Sequence, residues 1–201
     1  MEVELVGNAF CLDFTNTVNT RPIARRDWLA TPEEALTWSE AAGHPLGQSE
    51  SGADEARNLR DPAEASTTRR RHDLADAREF RETVFRVFQP LAHGSEAPQN
   101  DLDRIVEVYG EGVARGRLHG HDGNFRLEWG PPRTVETLMW EVAASAMELL
   151  THGPLDRLGE CPSCFWLFLD VSKNRRRRWC SMTTCGSRDK SRRYYAGIRP
   201  D

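Results

Sequence analysis

The sequence predicts an α+β chain: a mainly helical N-terminal domain with small β-hairpins, followed by a small module of treble-clef-like order. Three observations predict it. Apolar residues recur at three- and four-residue steps in three stretches, 74–91, 102–113 and 135–150. The period drops to two around residues 117–129, and four cysteines crowd into residues 161–185. A chain of 201 residues has room for one ordinary domain and a small appendage, with the expected boundary dividing 1–155 from 156–201. Hydrophobic residues at 38% and charged residues at 29% leave enough apolar sequence for a core, which argues against wholesale disorder.

The elements follow in order. Residues 2–13 alternate weakly about Gly7-Asn8, a turn signal, and predict a short strand or hairpin entering a helix near Asp13–Thr17. Thr31-Pro32-Glu33-Glu34 is a helix start: Thr at the N-cap, Pro at the first helical position, and acids facing the positive end of the helix dipole. That helix is expected to end at Gly43. Residues 44–67, rich in Gly, Ser, Pro and acids, read as a surface loop or a frayed lead-in. Leu74, Ala77, Phe80, Val84, Val87 or Phe88, and Leu91 then form one apolar stripe that stops at Gly94. A second stripe uses Leu102, Ile105, Val106, Tyr109 and Val113 and ends near Gly116. Residues 117–129 alternate on both sides of a Gly/Asp/Asn turn, a β-hairpin pattern. Val135, Leu138, Met139, Val142, Ala143, Ala146, Leu149 and Leu150 define a further helix ended by Gly153-Pro154.

The cysteines are spaced C-x₂-C, fifteen residues, then C-x₄-C. A tight knuckle at Cys161 and Cys164 presents two thiolates, and Cys180 and Cys185 can complete a tetrahedron around one Zn²⁺. The expected layout is a strand over 165–169, a basic turn, a returning strand over 178–180, and a helix bearing Cys185: a small treble-clef-like zinc finger. Two disulfides, a redox C-x₂-C and an Fe–S cluster are the alternatives. The first needs an oxidising compartment, and no export signal is read in the sequence; the second needs no distant second pair; the third is less suited to so tight a knuckle. Four cysteines close the coordination sphere and leave no position for water, so the zinc is expected to be structural. Cys11 stands apart in an apolar stretch and reads as a small buried hydrophobe.

The net charge of −4 conceals an asymmetry. Residues 160–201 carry ten Lys/Arg against four Asp/Glu, a local charge of +6, while the rest of the chain carries −10. Lys173, Arg175, Arg176, Arg177, Arg178, Arg188, Lys190, Arg192 and Arg193 lie on the two edges of the small module, the pattern of a polyanion-binding surface. Nucleic acid is the expected partner, double-stranded DNA first. RNA is the alternative, since Trp166, Phe168, Trp179, Tyr194 and Tyr195 interleave with the cations; the first three are expected rather as the module's own core.

The run from Cys161 to Arg188 closely resembles the CGNR-type zinc finger. The family's pattern, Cys-x-x-Cys, Trp-Leu-Phe-x-Asp, Ser-x-Asn-x-x-Arg-x-Trp-Cys-x-Met, then Cys-Gly-Asn-Arg, is matched except that Ser187 stands where the family has Asn. The ligands are untouched by that departure. Gly7, Leu12-Asp13-Phe14, Asn16-Thr17 and Arg21 are similar to the opening of the ABATE domain, the usual partner of that finger. The resemblance implies a bacterial, stress-related transcription regulator, with DNA binding by the finger and a sensing or assembly role for the body.

Other functions are weaker expectations. Asp13, Asn16, Thr17 and Arg21 lie close together and form a candidate ligand-binding set for an unknown small-molecule effector; helix capping and packing contacts are the favoured reading of them. His119 and His121 on the hairpin read as surface residues. There is no Ser-His-Asp arrangement, phosphate-binding Gly loop or HExxH, so catalysis is not expected. A cytoplasmic protein without a membrane segment is expected, and a homodimer stays open.

Overall fold

The computed structural model describes residues 2–19, 21, 26–46, 62–129 and 134–198, and the statements below concern these. The first helix, α1 (Phe10–Thr15), begins three residues earlier than the sequence suggested. Asp13 does not open it. Its carboxylate reaches back to accept the Gly7 N–H at 2.8 Å, and Asn8 turns the chain in the left-handed region at φ 59°. No Cβ fits at Gly7, where one would lie 2.8 Å from the Asp13 nitrogen. The expected opening strand is absent among the described residues. Instead, β1 (Val18–Asn19) pairs antiparallel with β2 (Arg26–Asp27) after the helix.

Helix α2 (Pro32–Ala41) starts as predicted: the Thr31 hydroxyl accepts the Glu34 N–H at 3.2 Å, and Gly43 follows the helix at φ 78°. Residues 47–61 of the expected loop lie outside the described residues, and residues 62–67 are already helical in α3 (Pro62–Ala92). Its stripe of Leu74, Ala77, Phe80, Val84, Val87 and Phe88 is buried.

The stripe on α4 (Gln99–Arg115) is rotated from the expected one. Ile105, Val108 and Gly112 face inward, whereas Val106 and Val113 are exposed. The cause is a close helix approach. A Cβ at Gly112 would lie 2.7 Å from the Trp140 Cβ, so the helix turns its glycine toward α5 (Val135–His152). The predicted hairpin forms between β3 (Arg117–His121) and β4 (Asn124–Glu128). Asp122 and Gly123 both have positive φ, 50° and 80°, the turn whose twist matches paired strands. Thr134 caps α5 by accepting the Thr137 N–H at 3.2 Å. Helices α1, α3, α4 and α5 enclose one apolar core that includes Trp28, Trp38 and Trp140.

The C-terminal module departs from the expected layout in one respect. The strand β6 (Leu167–Leu169) pairs backward with β5 (Leu158–Glu160), so the Cys161–Cys164 knuckle is itself the hairpin turn. Among the described residues, no strand forms over 178–180. The carbonyls of Trp179 and Cys180, which a ladder would have used, accept instead from the guanidinium of Arg177. A single π-helical turn, Met182–Gly186, carries Cys185 and leads into α6 (Ser187–Ile198). The outcome is a mainly helical body with small antiparallel strand pairs and a small finger at the C-terminal end.

Candidate metal centre and basic face

The knuckle closes through two backbone bonds of 2.8 Å, Phe165 N–H to the Cys161 carbonyl and Cys161 N–H to the Trp166 carbonyl. Phe165 takes a positive φ of 63° at its end. Cys161, Cys164, Cys180 and Cys185 are all buried, and their sulfurs lie within 4.8 Å of one another. Two of the separations are 3.4 Å (Cys164–Cys180) and 3.6 Å (Cys180–Cys185). A tetrahedron of sulfurs each about 2.3 Å from one ion requires separations of about 3.8 Å, so the four fit a zinc ion as they stand.

Without an ion the thiols compete for protons. Contacts from Cys164 and then Cys180 hold the Cys161 thiol far below the usual range. Contacts with Cys161 first push the Cys164 and Cys180 thiols well above it. A dication removes that conflict by favouring all four thiolates. Cys11 differs in kind: fully buried in α1, with its N–H donated to the Ser145 hydroxyl, its thiol is raised by burial to about 12.

The predicted basic residues divide into two groups. Arg177 is engaged internally. It lies over the Phe168 ring at 4.5 Å and donates to the carbonyls of Trp179 (3.0 Å), Cys180, Leu169 (3.5 Å) and Val6 (3.0 Å). Its backbone N–H donates to Asp170 at 2.8 Å, as does that of Ser172 at 2.9 Å. Hydrogen bonding from Ser172, with Arg177 in support, therefore holds the Asp170 carboxyl below the ordinary range despite an opposing burial effect.

Lys173, Arg175, Arg176, Arg178, Arg188, Lys190 and Arg192 are exposed. Among these, Arg175 contacts Asp156 at 3.0 Å and Arg192 lies 3.6 Å from Asp189. Such exposed pairs hold their partners weakly. Arg178 lies 4.9 Å over the Trp179 ring, and Trp179 packs beside Gly186, the residue before α6. Arg193 is on α6, with its side chain outside the described residues. Phe168 and Trp179 are buried with the cysteines and Trp166 packs against them, while Tyr194 and Tyr195 are exposed. Ser187, in the place of the family's Asn, donates to the Met182 carbonyl at 3.1 Å.

Of the N-terminal candidate residues, Asn16 bonds the finger and Asp13 lies within the field of Arg177, while Thr17 and Arg21 bond within the body. Asn16, buried, accepts the Leu167 N–H at 3.0 Å and donates to the Leu167 carbonyl at 2.9 Å. Leu169 donates its N–H to the Gly7 carbonyl, and its own carbonyl accepts from the Asn8 amide, both at 2.8 Å. The free edge of β6 is thus covered by body residues that mimic a neighbouring strand. Asp13 is raised by burial, against backbone bonds from Gly7 and Val6 and the charge of Arg177. Thr17 donates to the Phe14 carbonyl and accepts from Arg81. Arg21 spans Glu82 and the Thr15 carbonyl above the Phe85 ring. Burial raises Glu82, but Arg21 and Arg81 outweigh it and leave that carboxyl lowered.

Charge alone does not separate Arg177 from its neighbours, nor does the sequence reveal that Asn16 bonds the finger. A signal for the first exists. The pattern Arg-x-Trp-Cys singles out one arginine of the four.

Comparison with known families agrees with this arrangement. Residues 8–153 match the ABATE family, described as "Putative stress-induced transcription regulator", and residues 157–197 match the CGNR zinc finger. Both are regulatory or zinc-finger families rather than enzyme families. No curated protein matches the chain. No helix among the described residues is long and apolar enough to cross a membrane.

Proposed function

Because the chain belongs to the ABATE family of regulators and ends in a CGNR zinc finger, we propose that it is a zinc-dependent, DNA-binding transcription regulator. The observation that carries this reading is the sorting of the basic residues. Arg177 is bound into the fold, while the cations on either side of it and on α6 point to solvent around a rigid metal-clamped module. Lys173, Arg175, Arg176, Arg178, Arg188, Lys190 and Arg192 would neutralise phosphates and release counterions, which sets affinity without selecting sequence. Base reading falls to α6, where Arg188 and Arg192 lie four residues apart on one helical face, and arginine is the commonest reader of guanine. The zinc site holds these elements in place and has no vacancy for catalysis.

Tyr194 and Tyr195, exposed and edge-to-face with ring centroids 5.6 Å apart, favour a second reading in which unpaired bases of RNA stack on the helix end. One experiment separates the two. Random duplexes are selected on the zinc-loaded protein, and the winners are competed with single-stranded RNA. Enrichment of a duplex motif that RNA fails to displace supports the DNA reading. Displacement by RNA at equal concentration overturns it.

A further inference from the structure

We infer that residues Val6–Val18 of the body form the outer shell of the zinc site, so that the chain's hold on zinc is set by the docking of finger to body. The inference rests on the metal centre and is independent of what nucleic acid the finger contacts.

Both ligand pairs are tied to the body through identifiable bonds. For the first pair, the knuckle closes on Trp166, whose indole N–H donates to the Val18 carbonyl at 2.7 Å. The next residue, Leu167, has its N–H and carbonyl bonded to the two ends of one amide, that of Asn16. For the second pair, Arg177 donates to the carbonyl of Cys180, itself a ligand, and also to the carbonyl of Val6. Val6 packs its side chain against the cysteine cluster. A short zinc module normally orders its own ligand loops. Here a second polypeptide segment, more than 140 positions away in sequence, supplies the partners that fix them.

The energetic consequence follows from preorganisation. Groups that orient metal ligands contribute about ten- to a hundredfold to metal affinity when removed one at a time. They do so because an unsupported loop must be ordered when the ion binds. Linkage makes the effect reciprocal: zinc, by holding the knuckle, stabilises the docked state of residues 6–18. Asn16 is the critical member because the amide alone matches both a donor and an acceptor. A carboxylate in its place would turn a second oxygen, with no proton to donate, toward the Leu167 carbonyl. Asn8 is the milder member, since glycine keeps its positive φ and removes only the bond to Leu169.

The test uses the full-length, zinc-loaded chain and a coloured chelator that competes for the ion. We expect Asn16→Asp to raise the zinc dissociation constant about tenfold or more, and Asn8→Gly to raise it less, both with faster hydrogen exchange at Trp166–Leu169. Val108→Ala, which opens the body core on α4 where that helix packs on α3 and α5, should lower the stability of the body and leave the zinc constant unchanged. Two results overturn the inference: unchanged zinc constants in both asparagine variants, or an equal loss of zinc affinity in Val108→Ala. Should Asn16→Asp fail to fold, Asn8→Gly decides the matter, because residue 8 is exposed and its backbone suits glycine.

Discussion

The helical body buries a single cluster that runs from Cys11 to Leu149, whereas the finger's own cluster contains Phe168 and Trp179 beside the four cysteines. The difference is one of size. A module of about forty residues cannot bury enough apolar surface to offset its conformational entropy. It therefore relies on an ion and on its neighbour. The apolar residues of its hairpin, Leu158, Leu167 and Leu169, pack in the body's cluster rather than in its own. Where the body meets the finger, polar residues add to this apolar contact: Asn8, Asn16 and Arg177 satisfy backbone groups that a larger sheet would have paired. The body is held by buried area, whereas the finger adds the ion and specific bonds to the area it shares with the body, and each kind of hold breaks differently.

The largest expected effect is on the ion. Replacing Cys180 by Ser should abolish stoichiometric zinc, measured by metal analysis, since structural zinc contributes on the order of 10 kcal/mol to folding such modules. Hydrogen exchange should then show the finger unprotected and α5 still protected. A variant with full zinc would break the comparison at its root.

Next in size is Leu167→Ala. The side chain is fully buried within the body's cluster, so its loss should cost about 2–5 kcal/mol in urea unfolding of the body itself. Phe168→Ala, one residue on, should leave the body transition in place and loosen the finger alone. Equal effects of the two on the body would show that the two cores are not distinct.

Arg177 and Arg176 sharpen the contrast at neighbouring positions. Arg177→Ala leaves four carbonyls without a charged donor and should lower finger stability by about 1.5–3 kcal/mol. Arg176→Ala should leave stability unchanged and weaken nucleic-acid binding.

The smallest effect is a pH dependence. The Asp170 carboxyl is lowered in the folded state, so its contribution is present above its unfolded pKa and is lost as pH falls through the folded value. Asp13 has the opposite sign: raised in the folded state, it loses stability as pH rises from its unfolded value through the higher folded one. Asp170→Asn should flatten the acid limb of the finger's stability profile, followed by tryptophan fluorescence. An unchanged limb would show that Asp170 contributes nothing there.

The helices of the body were legible because local signals and burial agreed there. Thr31-Pro32 and Gly43 bounded α2, and the stripe on α3 faced the core throughout. On α4 the stripe is legible only in part: Leu102, Ile105 and Tyr109 face the core, but Val106 and Val113 do not, because the inward face includes Gly112, which carries no hydrophobic signal. The four ligands were legible from spacing, since metal geometry is encoded locally. The partner of β6 was not. Leu158–Glu160 precedes the knuckle and is too short to show alternation. The docking role of Asn16 was hidden for a similar reason: its partner lies 151 residues away, and an asparagine beside Asp13 and Thr17 carries the same signal whether it binds a ligand or a backbone.

Whether the exposed cations of the metal-clamped finger, with Arg177 excluded, meet a polyanion decides the reading of the basic face. A salt titration of duplex DNA binding answers this, comparing the unchanged zinc-loaded protein with Arg176→Ala and Arg178→Ala. The expected result is a steep linear fall of log affinity with log salt, with each substitution making the slope shallower by about 0.9. A salt-independent affinity, or slopes that the two substitutions leave unaltered, would contradict it.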